Sequence, residues 1–284
     1  MTKSLRLAAL LTPVTVWLVL FSLIPLGVMA AYSFQGNSTG AVDGVFTLAN
    51  YQKFFSNSAF QSVLWRSVLI ALATAAFSVV LAYPLAYFLA FQAGKSGMIL
   101  LTLLIAPAWT SELLRILAWK IMLGSNGTLN YLLTWLGWIA PDTVLIRFGP
   151  AAVIVTLVYT WIPFAALPIY ASLGRIEKSL LEASADLGEN PLRSFLRVTL
   201  PLSLSGVMAS FFYVFVPSLG EWVTPAMVGG TTGIMFGNLI QDQFARALNW
   251  PLGAAFSLVM LLAALALTLL MTRVIPLTDL LEAG

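Results

Sequence analysis

The chain has 284 residues, with no cysteine, no histidine and only 9% charged side chains. Without thiols it forms no disulfides and offers no thiolate nucleophile, and without imidazole it lacks the usual general base near neutral pH. No nucleophile–base pair and no metal cluster can be assembled from what is left, so neither catalytic residues nor metal ligands are expected. No G-x-x-x-x-G-K-[ST] run occurs. The chain therefore has no phosphate-cradling loop for ATP, and any energy source lies elsewhere. Sparse charge beside 60% hydrophobic residues and a mean hydropathy of +0.94 excludes a soluble domain, in which about a quarter of residues are charged. This is an integral membrane protein. The net charge of +3 calls for no nucleic acid, because basic residues beside membrane spans are the ordinary topological bias.

Six apolar runs are long enough to cross a bilayer. Lys3 and Arg6 precede the first, Leu7 to Ala31, which is too long for a signal peptide and is read as a retained span with kinks at Pro13 and Pro25. Residues 34–60 read as a polar loop ending in a short interfacial helix, with Phe46, Tyr51, Phe54 and Phe55 at headgroup level. The second span covers Val63 to Phe91. The third starts at Met98 and is clean as far as Ala108. It then runs into WTSELLRILAWKIML, which puts Glu112, Arg115 and Lys120 in or near the membrane. Gly124 to Pro141 read as an amphipathic outer segment. The fourth span is Pro150 to Leu173, the fifth Leu202 to Leu219 and the sixth Pro251 to Met271, with a short tail after it. A helix is expected from Met235 to Leu248. Six spans put both termini on one side. Eight Lys and Arg residues on that side against six on the other make it the cytoplasm. No internal repeat is visible, so residues 1–284 read as one transmembrane domain.

The longest polar interruption on the cytoplasmic side is Ser179 to Pro201, SLLEASADLGENPLRSFLRVTLP. Ser179 followed by Glu182 has capping-box spacing and predicts a helix start. Gly188 supplies the permissive residue after the helix, and Pro191 blocks continuation. The resulting helix is too short to span a membrane and carries small residues, Ala183, Ser184 and Ala185, where another surface can approach. By local physics it is either a capped surface helix or a knob for a socket.

Spacing separates these readings. Glu182-Ala183-Ser184, Gly188, Val198, Leu200 and Pro201 closely resemble the E-A-A-x3-G-x9-I-x-L-P motif of ABC importer permeases. Ser184 stands for the second Ala and Val198 for the Ile. FTLANYQKFF, LAYPLAYFLA, APAWTSELLRILAW, GTLNYLL, GEWVTPAMVGG and NLIQDQF…NWPLGAA resemble the spermidine/putrescine branch, in the expected order over most of the chain. The resemblance implies an all-α type I importer permease fold with six transmembrane helices and a coupling loop at 174–201. It implies a multi-pass protein of the bacterial inner membrane. It also implies three kinds of partner: a second six-span permease, identical or different; two copies of a cytoplasmic ATP-binding subunit; and a periplasmic or extracellular solute-binding protein. ATP and Mg are used by the partner ATPase, and this chain binds no cofactor. On that reading Ser179, Glu182, Ala183, Ser184, Asp186, Gly188, Pro191 and Pro201 form the ATPase-coupling element.

Ionisable groups inside spans are costly, so each marks a functional candidate. Trp109, Glu112 and Arg115 follow one another at intervals of three and are expected on one helical face. Either Glu112 attracts a cationic amine while Trp109 offers a cation–π face, or Glu112 and Arg115 neutralise each other. Glu221 and Trp222, just after the fifth span, form either an ammonium site at the mouth of the pathway or an interfacial anchor beside a solvated acid. Tyr159 and Trp161 line a cavity or pack the core. Arg115 would be the ligand instead if the solute were an opine, an amino-acid derivative or another carboxylated compound. An ATPase-independent carrier or channel would have no reason to keep the motif.

Overall fold

The computed structural model describes residues 3–38, 41–140 and 143–274. Pro141 and the tail from residue 275 lie outside them. Helix dominates because long apolar runs can satisfy every backbone group internally only as helices. Five helical runs are long and apolar enough to cross a membrane: Leu10–Ser33, Ser58–Phe91, Pro150–Leu173, Pro191–Leu219 and Trp250–Arg273. A sixth is a bent pair, Gly94–Trp109 with Glu112–Trp135, turned through 85°. The fold is thus the expected all-α membrane architecture.

Two prolines are absorbed by widened turns. Helices α1 (Lys3–Leu18) and α2 (Ile24–Ser33) are joined by a π turn, Val19–Leu23, in which Ile24 N–H reaches back five residues to Val19 O. Leu200 N–H likewise reaches Phe195 O across the π turn Phe195–Thr199. Pro25 and Pro201 follow immediately. A wider turn moves aside the carbonyl that the pyrrolidine ring would strike, so the chain stays helical through both prolines.

Two compact units are distinguished: residues 1–62 with 239–262, and residues 63–238 with 263–284. In the first, the stretch read as a loop contains a small hairpin, β1 (Gln35–Ser38) and β2 (Ala41–Phe46), followed by α3 (Ala49–Ser56). Asn50 on α3 donates to Ser33 O at 3.0 Å and Gln35 O at 2.9 Å, which ties the helix to the hairpin and settles the polar backbone there. Phe256 packs edge-on against Phe54 and Phe60.

The second unit is built on α4 (Ser58–Tyr87), α8 (Pro150–Leu173) and α11 (Leu200–Leu219). Val68, Ala71, Ala75, Val79, Ala82 and Ala86 recur every three or four residues, so α4 presents one stripe of small side chains to Ala165, Ile169, Val214 and Phe215. Lipid tails are as apolar as the helices, so close backbone approach and polar contacts supply the adhesion. Gly206 on α11 shows how close that approach is: a Cβ there would stand 2.4 Å from Ser172 Cβ. Ser210 Oγ donates to Ala165 O at 2.6 Å, and the Tyr83 and Ser203 hydroxyls are 2.8 Å apart.

The fifth span starts eleven residues before the expected Leu202. Asn190 caps α10 (Pro191–Ser194) by accepting from Arg193 N at 2.8 Å, and the helix runs through the π turn into α11. Pro191 therefore opens a helix as its first residue, where a missing N–H costs nothing, rather than merely closing one.

Candidate functional site

At the start of α11 the polar loop folds as a helical knob on a short stalk. Helix α9 (Lys178–Asp186) begins with Glu177 as its cap residue, and no side chain caps it. The expected capping box does not form. Ser179 is already inside the helix, and its hydroxyl donates to Glu177 Oε2 at 3.1 Å instead of accepting from a backbone N–H. The far end behaves as the spacing predicts. Gly188 has φ +80°, its N–H bonds Ala185 O at 2.9 Å, and Glu189 N–H bonds Ser184 O at 3.2 Å. That is a Schellman stop, and it needs the left-handed residue glycine supplies.

Two features the sequence reading missed hold the knob. Glu189 pairs with Arg197 in the π turn, which ties the end of α9 to the base of α11. Asn190-Pro191 sets the second helix, and the Asn-Pro pair was a readable cap signal. Between α9 and α11 lies a cavity of about 470 Å³ lined by Ala183, Ser184, Glu189, Val198 and Pro201. Ser184 is 6% exposed, and its hydroxyl has no hydrogen-bond partner. On the outside, Leu187 is 84% exposed and Leu192 66%. Polar stalk and bare leucines together make a surface with something to bury.

Beyond the other end of α11, Glu221 lies between that helix and α12 (Val223–Val228). Its Oε1 accepts from Val223 N at 2.8 Å and Thr224 N at 3.0 Å, so the carboxylate caps α12. The peptide around it is pinned: Asn238 Nδ2 donates to Trp222 O at 2.7 Å, and Phe236 N donates to Ser67 Oγ at 2.7 Å. Burial raises the Glu221 carboxyl above its ordinary range, the α12 N–H groups pull it down, and Glu112 raises it further. Two acids expected in separate places are thus brought within electrostatic reach of each other. No basic side chain is among the groups that shift the Glu221 carboxyl.

The expected Trp109–Glu112–Arg115 face does not exist. Trp109 ends a 3₁₀ turn, Ala106–Trp109, Thr110 and Ser111 are extended, and Glu112 opens α6 (Glu112–Leu123). A span cannot continue as one helix through two extended residues, so Trp109 is set apart from Glu112 and is 75% exposed. Glu112 and Arg115 share α6 without forming an ion pair. Tyr159 packs edge-on with Trp119, ring centroids 5.4 Å apart. Trp161 joins Phe164 and Tyr213 in a ring cluster, and its indole N–H is buried without a partner. Trp222 is 45% exposed beside Glu221.

The sequence matches the family model for the "Binding-protein-dependent transport system inner membrane component" over residues 24–280. The chain belongs to that family. The inner-membrane transport component is thus a multi-pass protein and not itself an enzyme. It is 41% identical over 244 residues to the spermidine/putrescine transport system permease protein PotB of Escherichia coli K12, covering 85% of this chain and 88% of that one. The PotB of Haemophilus influenzae is 34% identical over 245 residues, with 85% and 84% covered. Among solved structures it resembles a bacterial ABC transporter involved in import of the acidic polysaccharide alginate. That match has a TM-score of 0.72 and 16% identity, with 96% and 97% covered, and it bears on the fold alone.

Proposed function

We propose that this permease component moves polyamines, spermidine or putrescine, or a related small organic amine, by alternating access in an ATP-driven importer. Its assembly comprises a second six-span permease, two cytoplasmic ATP-binding subunits that use ATP and Mg, and a solute-binding protein. The α9 knob engages the ATP-binding subunit on the cytoplasmic side, where both termini lie. The observation that carries the solute assignment is the Glu112–Glu221 pair. Two acids within electrostatic reach of each other, neither in an ion pair, are completed by a ligand of at least one positive charge. The half-exposed ring of Trp222 beside them gives an ammonium a cation–π face. PotB permeases of the same family are named for spermidine and putrescine.

Movement follows from differential affinity: a ligand shifts a two-state bundle only as far as it prefers one state. The test is solute-stimulated ATPase activity in proteoliposomes holding the chain with its co-purified partners and binding protein. Spermidine or putrescine should stimulate, and Glu112→Gln or Glu221→Gln should shift the response to about tenfold higher concentration. Stimulation by a zwitterionic amine alone would favour a carboxylated solute with Arg115 as its ligand. An ATPase failing to co-purify would defeat the importer reading itself.

A further inference from the structure

The break between the 3₁₀ turn at Ala106–Trp109 and α6 leaves a cavity of about 400 Å³ whose wall includes Thr110, Arg115, Trp119 and Tyr159. Arg115 Nε is sealed from solvent with no hydrogen-bond partner. Among the described residues its guanidinium has no ion pair, although Glu112 stands one turn away on the same helix. The Thr110 hydroxyl is committed to Pro107 O at 2.7 Å. What remains to meet a ligand is a guanidinium fork, the Trp119 indole N–H and the Tyr159 phenol, whose ring packs edge-on with Trp119. The lining includes no carboxylate. A planar cation fork with a neutral O–H donor suits a tetrahedral oxyanion, and it repels the amine proposed as solute. An arginine in a membrane segment is costly unless something pairs with it.

The surroundings identify the kind of anion. The helix pair that forms the break is long and apolar enough to be a bent span. Leu114, Ala118 and Met122, at every fourth position of α6, line the cavity wall, are exposed and form an apolar track. Trp109 before the break and Tyr131 and Trp135 on α7 (Thr128–Trp135) are exposed aromatics of the kind found at headgroup depth. A free anion in water would need neither the track nor the aromatics.

We propose that this cavity binds the phosphodiester of an anionic phospholipid, with Arg115 gripping the phosphate, Tyr159 donating to it, and the acyl chains lying along α6. The site is separate from the acid pair and takes the opposite charge.

The test is native mass spectrometry of the full chain in its purified complex, titrated with phosphatidylglycerol. The wild type is compared with Arg115→Gln, Arg115→Lys and Tyr159→Phe. Loss of the guanidinium should weaken one phosphatidylglycerol site about tenfold, the scale of a lost charge-assisted hydrogen bond. Arg115→Lys should fall between, because a point charge replaces a fork. Tyr159→Phe removes a single oxygen from a part-exposed ring, so it reports on the site even if Arg115→Gln fails to assemble; it should weaken binding several-fold. Inorganic phosphate should leave the bound lipid in place. Equal lipid binding in Arg115→Gln and Tyr159→Phe would overturn the proposal. Displacement by inorganic phosphate would overturn the lipid assignment, and displacement by a zwitterionic amine would return Arg115 to the solute pathway.

Discussion

At the start of α11, the contacts that shape the knob join residues of one short stretch: Gly188 to Ala185, Asn190 to Arg193, Glu189 to Arg197. Past its other end, Glu221 feels the charge of Glu112, which α6 supplies from much earlier in the chain. The first region is an assembly of helix stops and caps, whose chemistry is readable from spacing. The second joins elements far apart in the chain, with Asn238 and Ser67 holding the peptides around it. A permease needs both kinds. On the proposed function, the knob that would meet a rigid partner must hold its shape locally, and the acids that would meet the solute gain from being assembled by elements that can move apart.

The largest expected effect tests the local region. Gly188 adopts φ +80°, where a β-branched residue costs about 1–2 kcal/mol or more. Gly188→Val should lower transport more than tenfold while the protein still inserts, because the stop that aims the knob is lost. Gly188→Asn, which tolerates the left-handed region, should retain most of it. Transport measured in proteoliposomes, with ATP hydrolysis followed in parallel, checks this. Wild-type transport in the Val variant would remove Gly188 from the coupling role.

The acid pair is the next test. Glu112→Gln and Glu221→Gln should each raise the half-saturating polyamine concentration about tenfold, since a hydrogen bond to a charged group is worth about 1.5–3 kcal/mol. The double variant should lose less than the product of the two, because the carboxylates act on one ligand. Strict multiplication would mean that they serve separate purposes.

Acidity sharpens the same contrast. Burial, then Glu112, raise the Glu221 carboxyl, so it protonates at a pH where a free carboxylate is still charged. Polyamine stimulation should therefore weaken as pH falls through that raised value. Glu112→Gln should move the loss to lower pH, and Glu221→Gln should flatten it. Stability carries the opposite sign. The folded carboxyl holds its proton more tightly than the unfolded one, so its contribution is present at low pH and lost as pH rises through the raised value. A polyamine response unchanged between pH 7 and the ordinary carboxylate range, about 4.3 for Glu, would remove Glu221 from the ligand set.

Much of this is legible in the amino-acid sequence. Membrane insertion followed from 9% charge, and Gly188 announced its φ by its place after a short helix. The cap of α9 was misread because Glu177, one residue before Lys178, draws the Ser179 hydroxyl outward; the spacing of Ser179 and Glu182 is silent on that competition. The break at Thr110–Ser111 was hidden because neither residue is a glycine or proline, and an unbroken helix period looked natural through WTSELL. The Glu112–Glu221 pairing was out of reach for a different reason. Each acid is visible as a costly charge, but they come from elements more than a hundred residues apart, and spacing along the chain says nothing of their meeting.

Trp222 should give the smallest effect and the finest discrimination. Its carbonyl is fixed by Asn238 while its ring is 45% exposed, so replacing the ring leaves the backbone in place. A cation–π contact at an exposed site is worth about 0.5–1 kcal/mol. Trp222→Ala should therefore raise the half-saturating polyamine concentration about two- to fivefold, and Trp222→Phe should lose less because a ring face remains. The alternative role, an aromatic anchor at the membrane surface, makes the opposite pair of predictions: lower thermal stability and membrane yield, with no change in half-saturation. Measuring both quantities on the same two variants decides between ligand and anchor. A shift in stability alone would leave the two carboxylates to hold the amine without an aromatic face.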